Sequence, residues 1–285
     1  MQALIAEARR KYHAGLLSES VLTVDTKGIP SNADSSSKLS VMIARGIASQ
    51  LHVNVEKKGI GQTVGAKFEQ LNMTFIEDTF PYLQNLRPGK WHIAKLGNRN
   101  SIKTSSFTQY EHLDYLNLLT KEDARLAASM GNDYMVAPDV VVYREAELDE
   151  AINELRLVVD ESVCRLSDIR KTCGGLPILH ASVSAKWTMR SDRAQNSRTE
   201  ALGLIRNRKG RLPHIVVVTG EPLPSRIASL ALGTGDIDCV YHFALYELLS
   251  AVESSGAEDA LEMLKILIEG KRLKDISDLP LDLTV

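Results

Sequence analysis

Apolar residues in the first 130 positions recur at helical spacing, which predicts helices over 2–14, 37–52, 62–78 and 110–130, with Gly15 and Gly131 as stops. Between them lie a serine-rich connector at 31–37 and a glycine-rich one at 59–65. From Asp133 the texture changes. Three runs rich in β-branched residues, 139–143, 176–187 and 214–219, read as strands, and 238–243 adds a fourth. Helical patterns fall between and after them at about 147–160, 197–207, 224–232, 244–254 and 258–269. Such alternation predicts an α/β fold with a central mixed β-sheet flanked by helices. The chain reads as a single domain over 1–285: a mainly helical part (1–130), an α/β core (131–243) and C-terminal helices (244–285).

Composition changes this picture little: 44% hydrophobic and 25% charged residues are ordinary for a folded protein of 285 residues. The net charge of −2 lacks the basic footprint of many nucleic-acid binders, although Lys and Arg can be segregated into a cleft. Cys164, Cys173 and Cys239 have no metal-ligand spacing, and an odd count suits reduced thiols in a cytoplasmic protein. Residues 1–15 read as an amphipathic helix rather than a leader, and no apolar run approaches membrane-spanning length.

The chemistry starts at Ala137-Pro138-Asp139-Val140-Val141-Val142, where a carboxylate stands at the mouth of an apolar strand. Lys186 follows Asp139 by 47 residues, and strand alternation puts Ser184 and Lys186 on one face of a neighbouring strand. Phosphodiester hydrolysis needs oxygen ligands for a divalent ion and a cation near the attacked phosphate. Asp139 and Lys186 supply one of each. A second acid is expected two positions before the lysine, where Ser184 stands. Glu200, 14 residues beyond Lys186 and in the first turn of the helix expected at 197–207, is the replacement. Ser197-Arg198-Thr199-Glu200 is also a good capping box, so a helix-starting role stands beside the chemical one.

Asp139, Ser184-Ala185-Lys186 and Glu200 resemble the permuted P-D…D/E-x-K motif of type II restriction endonucleases that recognise CCGG-containing sites. The likeness continues through Trp187-Thr188-Met189-Arg190-Ser191-Asp192-Arg193 and extends over the whole chain. It implies a restriction-endonuclease-like core with helical N-terminal additions, and hydrolysis of double-stranded DNA in a bacterial cytoplasm. It also implies Mg2+ as cofactor, two ions per site, held by Asp139 and Glu200. Lys186 would orient the water or stabilise charge on phosphorus, and Ser184 would be a structural or hydrogen-bonding stand-in. Glu69, on the helix after Gly65, is the best position for the upstream acid of the family; taken alone it reads as a solvated helix residue.

Arginine donates two hydrogen bonds to guanine and aspartate accepts from cytosine, so Arg190, Asp192 and Arg193, with Ser191 between them, form a natural reader of adjacent C·G pairs. The bland alternative is an exposed loop of mixed charge. By the resemblance these residues contact the central CCGG of GCCGGC, cut after the first G to leave 5′ overhangs. Arg226, Gln62, Asp34 and Ser35 are candidates for the outer pairs, though each also suits a cap or turn. A palindrome predicts a two-fold dimer at least, and the resemblance implies a tetramer holding two DNA copies. A structure-specific repair or junction nuclease and a non-catalytic DNA-binding protein are the competing functions. The glycines at 59, 61 and 65 lack the strand and spacing of a dinucleotide loop; His180, His214, His242 and Trp187 read as core residues.

Overall fold

The computed structural model describes residues 2–53, 61–96, 102–130, 137–189, 191–233 and 235–285, with the backbone alone for 61, 62, 127, 130 and 191–194. Six strands, β1 (Trp91–Lys95), β2 (Val140–Arg144), β3 (Ile178–Lys186), β4 (His214–Thr219), β5 (Cys239–His242) and β6 (Leu273–Asp275), lie in one sheet in chain order. The sheet is mixed. β1 pairs antiparallel with β2, Trp91 opposite Arg144, whereas β4, β5 and β6 pair in parallel. Val140–Val142 and Ile215–Val218 are buried at every position, the continuous apolar pattern of strands covered on both faces.

The described helices are α1 (Leu4–Ser18), α2 (Lys38–Gln50), α3 (Gly61–Glu77), α4 (His112–Glu122), α5 (Ala124–Met130), α6 (Asp149–Ile152), α7 (Ser191–Asn207), α8 (Pro224–Ala231), α9 (Leu245–Ser255), α10 (Glu258–Glu269) and α11 (Leu279–Asp282). The chain divides into two compact units, the first comprising residues 1–83, 183–198 and 215–285, the second 84–182 and 199–214. In the first unit α2 packs closely on α9, because Gly46 presents no side chain: a Cβ there would lie 2.6 Å from that of Ala251. Arg9 of α1 clasps the same unit, donating to Asp275 at the end of β6 at 2.9 Å and to Glu247 of α9 at 2.6 and 3.0 Å. In the second unit Gln109 donates to the Leu179 carbonyl (2.7 Å) and accepts from the Leu179 amide (3.0 Å), and the Tyr110 hydroxyl donates to the Leu204 carbonyl.

Several expected boundaries move. α1 runs past Gly15 to Ser18, since Gly15 serves a close approach to Leu71, where a Cβ would meet Leu71 Cδ2 at 2.6 Å. The helix expected at 110–130 breaks at Asp123, whose carboxylate accepts from the Arg125 and Leu126 amides and starts α5. Of 147–160 only Asp149–Ile152 is helical; beyond it the Asn153 side chain accepts from the Val158 and Val159 amides, favouring a turn. β1 lies within the part expected to be helical, and β6 within the expected C-terminal helices. α7 begins at Ser191, not 197, so Glu200 is its tenth residue and the capping-box reading of Ser197–Glu200 does not hold. Ser197, Ala201 and Leu204 are buried at i, i+4 and i+7, the inward stripe of a helix already under way.

Candidate active site and base-reading surface

Lys186 closes β3, half-buried, after Ser184 and Ala185, both 7% exposed. Its carbonyl accepts from Thr219 Oγ1 (2.8 Å) and the Gly220 amide (3.2 Å), pinning the end of β3 to the end of β4. The next residue, Trp187, packs between Phe68 of α3 and Phe243, with ring centroids 5.0 and 5.2 Å away, and its indole N–H donates to Ser31 Oγ at 3.3 Å. Gly220 is required beside it: a Cβ there would stand 2.5 Å from the indole ring. The Gly220 carbonyl accepts from Asn32 Nδ2 at 2.8 Å, which brings the segment leading to Asp34 against the same strand end. Trp187 is thus the packing residue expected, and it fixes the lysine's backbone.

Ser184 Oγ lies 3.5 Å from Ser197 Oγ of α7, so the hydroxyl standing where an acid was expected faces a helix inside the protein. Lys186 and Ser184 belong to the first unit; Asp139 and Glu200 belong to the second. Asp139 is half-buried directly before β2, following buried Pro138, and Glu200 is half-buried in α7. Glu69 is half-buried in α3, the helix that packs on Trp187 through Phe68.

The reader candidates divide. Arg190 lies outside the described residues; Ser191, Asp192 and Arg193 form the first turn of α7 and Gln62 that of α3. Asp34 and Arg226, 192 residues apart, are brought into a direct ion pair. Hydrogen bonds from Ser36 (2.7 and 3.0 Å), with the Arg226 guanidinium, hold the Asp34 carboxyl well below the usual carboxylate range. Ser35 is exposed in the same turn.

One residue escaped the sequence reading. Glu221, two positions beyond β4, is 1% exposed, and its carboxylate accepts from the Met189 amide at 2.8 Å and the Leu223 amide at 3.2 Å. Arg226 Nη1 stands 3.9 Å from its Oε2 and 3.5 Å from the Met189 carbonyl. Burial pushes the Glu221 carboxyl up to about 7, against those two amide hydrogen bonds and the nearby guanidinium. The signal was present in the sequence: like Asp139, Glu221 is an acid at the end of an apolar strand.

The His180 ring lies tilted against Trp91 (4.7 Å) and edge-on to the half-buried His214 (5.0 Å), and His242 is fully buried, with its pKa lowered by burial to about 4; His180 and His242 are core histidines. The three cysteines are free, and no helix among the described residues is long and apolar enough to cross a membrane.

A family model described as NgoMIV restriction enzyme matches residues 12–285. The chain is 50% identical over 286 positions to the type II restriction enzyme NgoMIV of Neisseria gonorrhoeae, covering all of both chains. Among solved structures it is matched, at 12% identity and a TM-score of 0.26, to a restriction endonuclease PspGI–substrate DNA complex, covering 99% of this chain and 92% of that one; a likeness so slight carries no argument. Half the residues being shared from end to end, the chain belongs to the NgoMIV family of type II restriction enzymes and is a site-specific deoxyribonuclease.

Proposed function

We propose that this enzyme cleaves double-stranded DNA at GCCGGC, after the first G of each strand, in a Mg2+-dependent reaction. The observation that carries the reading is the Asp34–Arg226 pair, tied to the backbone of Met189 one residue before Arg190. An arginine and an aspartate side by side are the complement of one G·C pair in the major groove, guanine accepting from the first and cytosine donating to the second. Arg190, Asp192 and Arg193 would read the inner C·G pairs from the start of α7, four to seven residues beyond Lys186, so that base reading and the scissile phosphate are mechanically coupled.

Among the described residues no group of three or more His, Cys, Asp and Glu side chains stands together. Magnesium is commonly held by one or two carboxylates and completed by substrate phosphate and water oxygens. Asp139 and Glu200 would be those carboxylates, two ions per site being the count expected from the family. Bound there, the metal supplies charge stabilisation to the phosphate and a more acidic water. Lys186 would place its ammonium against the attacked phosphate or the attacking water, Ser184 would hold the strand against α7, and Glu69 would act from α3. Each subunit would read one half-site in a two-fold dimer, two such dimers forming a tetramer on two DNA copies, with Gln62 and Ser35 assisting at the outer pairs.

Digestion of a plasmid of known sequence with Mg2+, then with EDTA, followed by end sequencing, tests reaction, cofactor and target together. The expected result is discrete fragments ending in 5′ overhangs at GCCGGC, none in EDTA, and none from Lys186→Ala or Asp139→Ala although both fold. Full cleavage by either variant refutes the assigned site.

A further inference from the structure

Glu221 has no role in the reading above, yet it lies where the parts of that reading meet. Its two oxygens are committed to different partners. One accepts from the Leu223 amide, at the entry to α8; the other accepts from the Met189 amide and stands 3.9 Å from Arg226. Met189 leads directly into the inner reader, and Arg226, on the first turn of α8, is the outer one.

We propose that Glu221 is a positioning residue for sequence selection, holding the root of the 190–193 segment and the Arg226 guanidinium in one register so that outer and inner base pairs are read together. The proposal rests on the reading that these arginines touch bases. In the protein without DNA, Arg226 shares its charge between Asp34 and Glu221. When Asp34 turns to a cytosine amino group, Arg226 loses one counter-charge as it meets guanine, whose O6 and N7 are neutral acceptors. Glu221 is held by two backbone amides and does not leave with Asp34, so it remains to orient the guanidinium, much as carboxylates behind metal-ligating histidines fix ring direction. The electrostatics agree: a carboxyl that burial pushes up to about 7 is easily made neutral, and the Arg226 charge favours its ionised form.

The test compares Glu221→Gln and Glu221→Asp with the parent. Cleavage is measured as kcat/KM on three short duplexes: GCCGGC, the same site with the outer pair changed (ACCGGT), and one with an inner pair changed. Gln keeps the shape but removes the charge and one acceptor, so the preference for GCCGGC over ACCGGT is expected to fall by about ten-fold or more, with partial recovery in the Asp variant. An anchor that only stabilises the fold would lower the melting temperature, or the rate on all three duplexes alike, and leave the ratio where it was. A selective parent whose Gln variant keeps its full preference overturns the role alone. A parent with no preference for GCCGGC removes the underlying reading, and the role with it. Variants that do not fold assign the carboxylate to stability and overturn the proposal equally.

Discussion

Arg226 reaches three acceptors in the protein without DNA: the Asp34 carboxylate, the Met189 carbonyl and, at ion-pair distance, Glu221. A guanidinium so surrounded cannot be exchanged for lysine without loss, because a point charge does not reproduce its planar fork. Arg226→Ala is therefore expected to reduce discrimination at the outer base pair by about 1–3 kcal/mol while leaving discrimination among inner pairs intact. Equilibrium binding to matched and outer-substituted duplexes at fixed salt measures this; an equal loss on every duplex would make Arg226 a phosphate contact instead. Residue types pointed to Arg226 and Asp34 as two separate candidates. Their pairing was not legible, since no local pattern relates positions 192 residues apart.

At the scale of elements, long apolar runs were easiest to read and short or edge elements hardest. β3, β4 and β5 fall within the runs that predicted them and β2 passes its run by one residue, Arg144; the stretches buried on both faces, such as Val140–Val142 and Ile215–Val218, must be apolar. β1 stands at one end of the sheet with every residue half-buried, so Trp91–Lys95 carries neither alternation nor a continuous apolar run; β6 has only three residues. α7 starts at Ser191, ahead of Ser197–Glu200, which imitates a helix start although Ser197 is buried against Ser184 of β3. The Arg9 clasp joins α1, α9 and β6 and sets a stability expectation. Burial alone would raise the Asp275 carboxyl, but hydrogen bonds and charge from Arg9, with help from Ser277, hold it below its ordinary value. Removing Arg9 leaves that fully buried acid without its cation, so Arg9→Met should cost about 3–5 kcal/mol at neutral pH. A depressed carboxylate pKa stabilises the fold above the unfolded value and loses that contribution as pH falls through the folded one. The difference between parent and variant in urea unfolding should therefore be largest near neutral pH and shrink in acid, as Asp275 takes up a proton earlier in the variant, where burial is no longer opposed by Arg9, than in the parent. A difference that stays constant with pH would show that Asp275 is not the group involved.

For the whole molecule, the symmetry of the proposed target is the governing constraint. One 31.4 kDa chain offers, among its described residues, one candidate lysine strand and one set of candidate readers, enough for half a palindrome. Sedimentation of the purified enzyme should give at least twice the chain mass, and four times if two dimers associate to hold two DNA copies. A monomer that cuts both strands in one encounter would remove the two-fold model. The acidic net charge is compatible with this, because a half-site needs a local cluster of arginines rather than a basic protein.

The sequence by itself determined the α/β class and named candidates for the chemistry, because both are local: buried strands demand apolar runs, and each chemical role demands a particular side chain. It also carried the family, through residues spread from end to end. Only the tertiary structure decided which carboxylate meets which arginine. Met189 and Glu221 lie 32 positions apart, and their hydrogen bond exists because the ends of β3 and β4 are pinned side by side at Lys186 and Gly220. Hydrogen-bond partners across a fold depend on where backbones are delivered in space, and spacing along a chain does not encode that.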